Sequence, residues 1–223
     1  VGDVIILGIE SATARAGVAI GTDDGVVATV EVTRGPRHAE ILVPSIQFAC
    51  EQAGIVLADV DVIAVDIGPG LFTGLRVGIA TANGLAQALR RPMVGVCSLD
   101  ALAHPMRHAA SDIVCVIDAR RKEVYAARYG VADGKLKRTM EPTVLPPDEL
   151  LSQVGDALLV GDTLAEQGAR FALPSAATVV ELARGQAPVN PSAIAPLYLR
   201  KSDAELHADQ RAGGGKERGT DGS

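Results

Sequence analysis

Aromatic side chains are scarce in this chain of 223 residues: three Phe, three Tyr and no Trp amount to 3% of it. A platform that stacks single-stranded nucleic acid needs exposed rings, so their scarcity argues against one. Positive charge is also in deficit. Lys and Arg number 21 against 27 Asp and Glu, a net charge of −6, whereas a chain that grips phosphates alone does so with clustered cations. If RNA is involved, another subunit has to supply most of the basic surface. Cysteine is sparse: Cys50, Cys97 and Cys115 are odd in number and form no CxxC pair, which argues against a disulfide framework or zinc knuckle and for buried free thiols. No apolar run approaches the about 20 residues of a membrane span, and the start does not read as a signal peptide. A cytoplasmic, membrane-free location is therefore expected.

What is plentiful is aliphatic. Hydrophobic residues make up 48% of the chain, enough for one large domain or two lobes of roughly 100 residues each. VIILGIESA (Val4 to Ala12) is a continuous apolar run closed by Glu10, as a buried central strand would be. ARAGVAIG and GVVATVEVT follow, joined through Asp24-Gly25, and read as a hairpin. From His38 to Ala53 the apolar period becomes helical, with Gly54 as its stop. DVIAVDIG (61–68) returns to a buried strand, a small-residue helix spans about Gly74 to Leu89, and MVGVCS (93–98) is another strand. A further helix is expected from Leu99 to about His108.

The order then repeats. DIVCVIDAR (112–120) mirrors VIILGIESA, with Asp118 in the place of Glu10; EVYAARYG and KLKRTMEPT are joined by Asp133-Gly134. A short helix over Pro146 to Val154, the strand ALLVGD, and helices over LAEQGARFAL and SAATVVELARGQ complete the half. Each half thus reads β-β-β-α-β-α, the plan of the actin-like (ASKHA, ribonuclease-H-like) α/β fold. A single doubly wound sheet would need helices between the first three strands, and the short Asp-Gly turns leave no room for them. The expected division is an N-terminal lobe over 1–109, a C-terminal lobe over 110–203, and a disordered, Gly-rich, charged tail over 204–223.

The most distinctive segment is the turn DIGPGLFTGLRVG (Asp66 to Gly78), placed between a strand and a helix. Its glycines permit close backbone approach, and free N–H groups at the helix start make phosphate binding chemically possible. It is neither a Walker A loop, since Gly74 is followed by Leu75-Arg76, nor a GxGxxG fingerprint. A purely structural turn is equally open. Thr13 and Asp66 are the candidates to touch a phosphate or Mg²⁺; alternatively Glu10, Asp66 and Asp118 merely finish their strands. His104 and His108 have HxxxH spacing, which on a helix would put two imidazoles on one face, but Pro105 lies between them. Nucleophilic catalysis finds no GxSxG elbow or triad.

The helix Gly74–Leu89 is apolar nearly all round. Leu75, Ile79, Ala82, Ala86 and Leu89 share one face, while Val77, Ala80, Gly84 and Ala88 share another. A sheet covers only one side of a helix, so the second face either docks a partner or is covered by other elements. The helix His38–Ala53 likewise carries Val43 and Phe48 off its main stripe.

The string GPGLFTGLRVG, together with ILGIESAT, GLAQAL, PMVGVCSLDALA, DARRKEVYAARY and PLYLR, resembles the TsaB (YeaZ) family, a paralogue of the catalytic TsaD (Kae1, YgjD) family. It departs from the family at Leu71, where Ser is usual, and at Glu10, where Asp is usual. The resemblance implies a non-catalytic subunit that uses no cofactor of its own and stabilises a TsaD-type catalytic subunit. That pair, aided by a TsaE-type ATPase, carries threonylcarbamoyl to N6 of adenosine 37 in tRNAs reading ANN codons. It also implies ATP and metal in the partner subunits, tRNA contact only through the complex, docking by the first two helices of the N-terminal lobe, and a homodimer when the partner is absent. The paralogue's metal-binding HxxxH falls on Ser98 and Leu102, neither of which is an imidazole ligand. The competing reading is an independent actin-like enzyme, a kinase or metallopeptidase; a third is a homodimeric binding module.

Overall fold

The computed structural model describes residues 3–33 and 37–199; the expected tail over 204–223 lies outside them. Two five-stranded sheets hold the strands of the described residues. The first consists of β1 (Ile6–Glu10), β2 (Arg15–Thr22), β3 (Gly25–Thr33), β4 (Val62–Gly68) and β5 (Met93–Cys97), in the order β3-β2-β1-β4-β5. β1 and β2 pair antiparallel, as do β2 and β3, while β4 and β5 extend the sheet in parallel. The second contains β6 (Ile113–Asp118), β7 (Val124–Ala132), β8 (Lys135–Leu145), β9 (Leu158–Gly161) and β10 (Arg170–Phe171), in the order β10-β9-β6-β7-β8. Its pairings repeat those of the first sheet. The duplicated, two-lobed actin-like plan is therefore present; β5 falls on the expected MVGVCS strand, and β10 is the one strand the sequence pattern did not suggest.

Helices α1 (His38–Ala53) and α2 (Phe72–Leu89) cover one face of the first sheet, and α3 (Ser98–Ala103) follows β5. Gly54 ends α1 in the left-handed conformation, at φ 67°, as its position after the last apolar residue predicts. The turn at Asp133-Gly134 has positive φ at both residues and joins Ala132 to Lys135, the two-residue geometry that such a dipeptide favours.

Two expected helices differ. The segment 164–173 is no helix: Leu164 (φ 62°) and Gly168 (φ 90°) both turn left-handed, bracketing a single 3-10 turn before β10. The apolar residues there had the right spacing, but Gly168 interrupts the segment. α3 stops at Ala103 and passes into a 3-10 turn over His104–Met106, because the Pro105 ring and its missing N–H end the helical ladder.

α4 (Pro147–Val154) packs on the outer face of the second sheet. α5 (Ala176–Ala183), which follows the last strand of the second sheet, lies instead on the first. There Ala176, Val179, Val180 and Ala183 close a core with Ile6, Ala19, Val62, Ala64, Val94 and Val96. Alternation explains this. Leu7, Ile9, Ile63 and Val65 face α1 and α2, and their neighbours face α5. Val180 fits a notch made by two glycines: a Cβ on Gly8 or Gly21 would come within 2.7 or 2.4 Å of its methyls. Arg15 anchors the chain just before α5, donating to the carbonyls of Leu173 and Pro174. The boundary at 109/110 thus separates the strands of the two sheets but not their cores. α3 is the joint, giving Ala101 to the core under α5 and Leu99, Leu102 and Ala103 to that of the second sheet.

Val180→Ala should cost about 2 kcal/mol in urea denaturation, because the notch cannot close around the missing methyls. Val27→Ala, at a position 53% exposed, should cost less than about 0.5 kcal/mol.

Candidate functional site

The end of β1 and the glycine-rich turn are built against each other. The turn leaves β4 through Gly68 (φ 103°) and a cis Gly68–Pro69 bond. Leu71 N then donates to Ala12 O at 2.7 Å, and Ser11 Oγ donates to Gly74 O at 2.9 Å. A Cβ at Gly70 would lie 2.2 Å from Ala12 O, and one at Gly74 2.1 Å from Ser11 O. Glycine is demanded here by backbone meeting backbone. Thr13 lies in the same seam, fully buried; its carbonyl meets His38 Nε2 at 2.9 Å, and its hydroxyl accepts from Arg15 N.

Glu10, the last residue of β1, and Asp66, near the end of β4, lie on adjacent parallel strands one residue beyond the paired Ile9 and Val65, and neither has measurable exposure. Glu10 Oε1 accepts from Ala12 N at 2.7 Å; Asp66 Oδ1 accepts from Gly68 N at 2.7 Å and from Ser98 Oγ at 2.6 Å. Glu10 Oε2 and Asp66 Oδ2 find no partner among the described residues. Burial, and then the charge of Asp66, push Glu10 well above the usual carboxylate range. Burial pushes Asp66 up to about 7 against the pull of its Ser98 and Gly68 hydrogen bonds. Two carboxyls so placed cannot both ionise cheaply, and one proton between them is the expected neutral-pH state.

The other sequence candidates are dispersed. Asp118 is at the end of β6, where it pairs with Arg120. His104 leaves the helix and meets Glu181 of α5, Nε2 to Oε2 at 3.1 Å, so it and His108 do not share a helical face. Ser98 is committed to Asp66, and Leu102 is buried in the core between α3 and the second sheet. No three His, Cys, Asp or Glu side chains come together among the described residues. All three cysteines are buried and free, with Cys97 pushed up to about 12 by burial.

The docking candidates lie together on one side of the first lobe, where α1 and α2 pack side by side. Leu75, Ile79, Ala82 and Ala86 face the sheet. Ala80, Gly84 and Ala88 are exposed, and a Cβ on Gly84 would meet nothing within 4 Å. Val43 and Phe48 of α1 are 52% and 53% exposed. Val77 is only half-buried and leans on the core. Sequence reasoning missed an aromatic cluster at the start of α2. Phe72 and Tyr198 have ring centroids 5.3 Å apart, and the Arg76 guanidinium lies 3.9 Å over the Phe72 ring. Tyr198 reaches it because the segment after α5 returns along the first lobe, through Met93–Val189 pairing and Leu197 N donating to Ile67 O. Only the rarity of rings in this chain could have marked these residues.

The comparisons with known proteins agree with one another. The model of a family described as tRNA N6-adenosine threonylcarbamoyltransferase (TsaD) matches residues 9–206. An uncharacterized protein of Mycobacterium tuberculosis is 41% identical over 212 residues, covering 90% of this chain and 93% of that one. The tRNA threonylcarbamoyladenosine biosynthesis protein TsaB of Haemophilus influenzae is 30% identical over 188 residues, covering 73% and 80%. The solved structure of YeaZ from Pseudomonas aeruginosa superposes with a TM-score of 0.74 at 29% identity, over 88% of this chain and all of that one.

The buried carboxyls give a pH signature. Asp66 holds its proton to about pH 7 in the folded chain but releases it near 3.9 when unfolded. The folded state therefore binds more protons across that window, and stability falls as pH rises through it. Asp66→Asn should remove the Asp66 share of this dependence and leave that of buried Glu10, so that its stability relative to the parent grows from pH 5 to pH 8 by roughly 1–3 kcal/mol, read from urea midpoints.

Proposed function

Because the chain belongs to the TsaB (YeaZ) family, within the wider threonylcarbamoyltransferase group whose model spans it, we propose that it serves threonylcarbamoyladenosine synthesis on tRNA as a non-catalytic subunit. Its task is to bind and hold a TsaD-type catalytic subunit, which modifies N6 of adenosine 37 in tRNAs reading ANN codons. The observation that carries this reading is the uncovered face of α1 and α2. Val43 and Phe48 give it apolar area, and Ala80, Gly84 and Ala88 let a facing helix approach closely. Such a face resembles the apolar centre of a subunit interface. In the partner's absence the same face would pair with a second copy of this chain.

The seam supports the same division of labour. Gly70 and Gly74 are filled by the backbone of Ser11 and Ala12, so the glycines serve packing, and Thr13 is enclosed by it. ATP and metal accordingly belong to the partner subunits, a TsaE-type ATPase among them, and tRNA is engaged by the complex. A kinase or metallopeptidase would need an open phosphate cradle or converging ligands, and neither reading gains such a constellation among the described residues.

Reconstitution tests this directly. Leaving the chain out of an in vitro threonylcarbamoylation reaction should stop modification, and undiminished modification would refute the proposal. Gly84→Arg should abolish co-elution with the catalytic subunit while leaving the melting temperature unchanged, since space is open at that Cα.

A further inference from the structure

The two halves share a topology but not the turn after their first strand. After β1, Ser11, Ala12 and Thr13 are buried against the glycine-rich turn. After β6, Arg120, Arg121 and Lys122 are exposed, with φ of 62°, 54° and 61°. Left-handed backbone is uncommon for one residue with a Cβ and rarer for three in succession, because each Cβ crowds a carbonyl oxygen. Glycine would take this turn without that strain. The strain is braced from below. Ala119 N donates to Glu123 O at 3.1 Å and Glu123 N to Arg120 O at 3.0 Å. Asp118 accepts from Arg120 N and pairs with its guanidinium, while Asp162 accepts from Asp118 N.

These three residues are the longest run of Lys and Arg in a chain of net charge −6, and their backbone is tied across the turn by the hydrogen bonds between Ala119, Arg120 and Glu123. At the same sheet end, two strands from β6, edge strand β10 carries Phe171, 74% exposed. It is the sole exposed large apolar side chain on the second sheet among the described residues. A protein interface wants contiguous apolar area around its anchors. Cations with one isolated ring fit a nucleic acid better, phosphates taking the charge and an unpaired base the ring. We propose that the Arg120–Lys122 turn is a contact point for the sugar-phosphate backbone of the tRNA held by the complex, the braced strain keeping the cations at a fixed spacing. This rests on the function proposed above.

The test uses the full complex and an unmodified transcript of an ANN-reading tRNA, with affinity measured against salt. The double substitution Arg121→Gly and Lys122→Gly should weaken tRNA binding about tenfold at 100 mM salt and lower the log–log salt slope by about 1 to 2. The melting temperature should hold or rise, because glycine relieves the backbone. Lys122→Arg should bind as the parent does, and Lys122→Glu should weaken binding without unfolding the chain. Unchanged affinity and slope in the double variant would overturn the proposal. So would loss of co-elution with the catalytic subunit at unchanged tRNA affinity, which would make the turn a protein contact. If the parent chain forms no complex before RNA is added, the function proposed above fails first, and this inference falls with it.

Discussion

The carbonyl oxygens of Ser11 and Ala12 occupy the space that side chains at positions 74 and 70 would need. This backbone-on-backbone contact fixes where α2 starts and in what direction it leaves β4. It thereby sets which of α2's faces meets the sheet and which stays outside. The same contact seals the ends of β1 and β4, so Glu10 and Asp66 are closed off from water. A single Cβ in the seam would push the helix away and disturb the carboxyls and the outer face together. A turn with the look of a phosphate cradle has been turned to packing.

The fold was legible in the sequence where the local signals agreed. Apolar runs closed by a carboxylate marked β1 and β6, Asp-Gly marked the hairpins, and Gly54 marked the end of α1. It failed where spacing and geometry diverged. Residues 164–173 have helical periodicity, but Leu164 and Gly168 turn left-handed, which pattern alone does not forbid. α3 ends at Ala103, short of the expected His108, because Pro105 cannot continue the helical hydrogen-bond ladder, and periodicity alone does not register that. The uncovered outer side of α2 was readable because a helix apolar on two sides has one side too many for its sheet. The pairing of Ser98 with Asp66, and the Phe72–Arg76–Tyr198 cluster, were not readable, since each joins residues far apart in sequence.

Duplication has left the halves alike in pairing and unlike in chemistry. The first half carries its carboxyls inside, crowded and short of partners. The second carries Asp118 at an accessible strand end, tied to Arg120. Between them, Asp100 at the start of α3 accepts from Tyr129 Oη at 2.8 Å and pairs with Arg138. That largely enclosed ionic contact links the joint helix to β7 and β8, and burial beside Asp100 raises the Tyr129 phenol well above its usual range.

The placement of α5 matters most while the chain is being made. One face of the first sheet, with Ile6, Ala19, Val62, Val94 and Val96, is complete once β5 has emerged, but its cover is encoded at Ala176–Ala183. During the intervening synthesis that face is bare apolar surface beside a sheet edge, the kind of species that self-associates or recruits chaperones. The first half of the chain is thus the earlier to form strands and the later to become water-soluble. Its final state waits on a helix encoded after the strands of the second sheet.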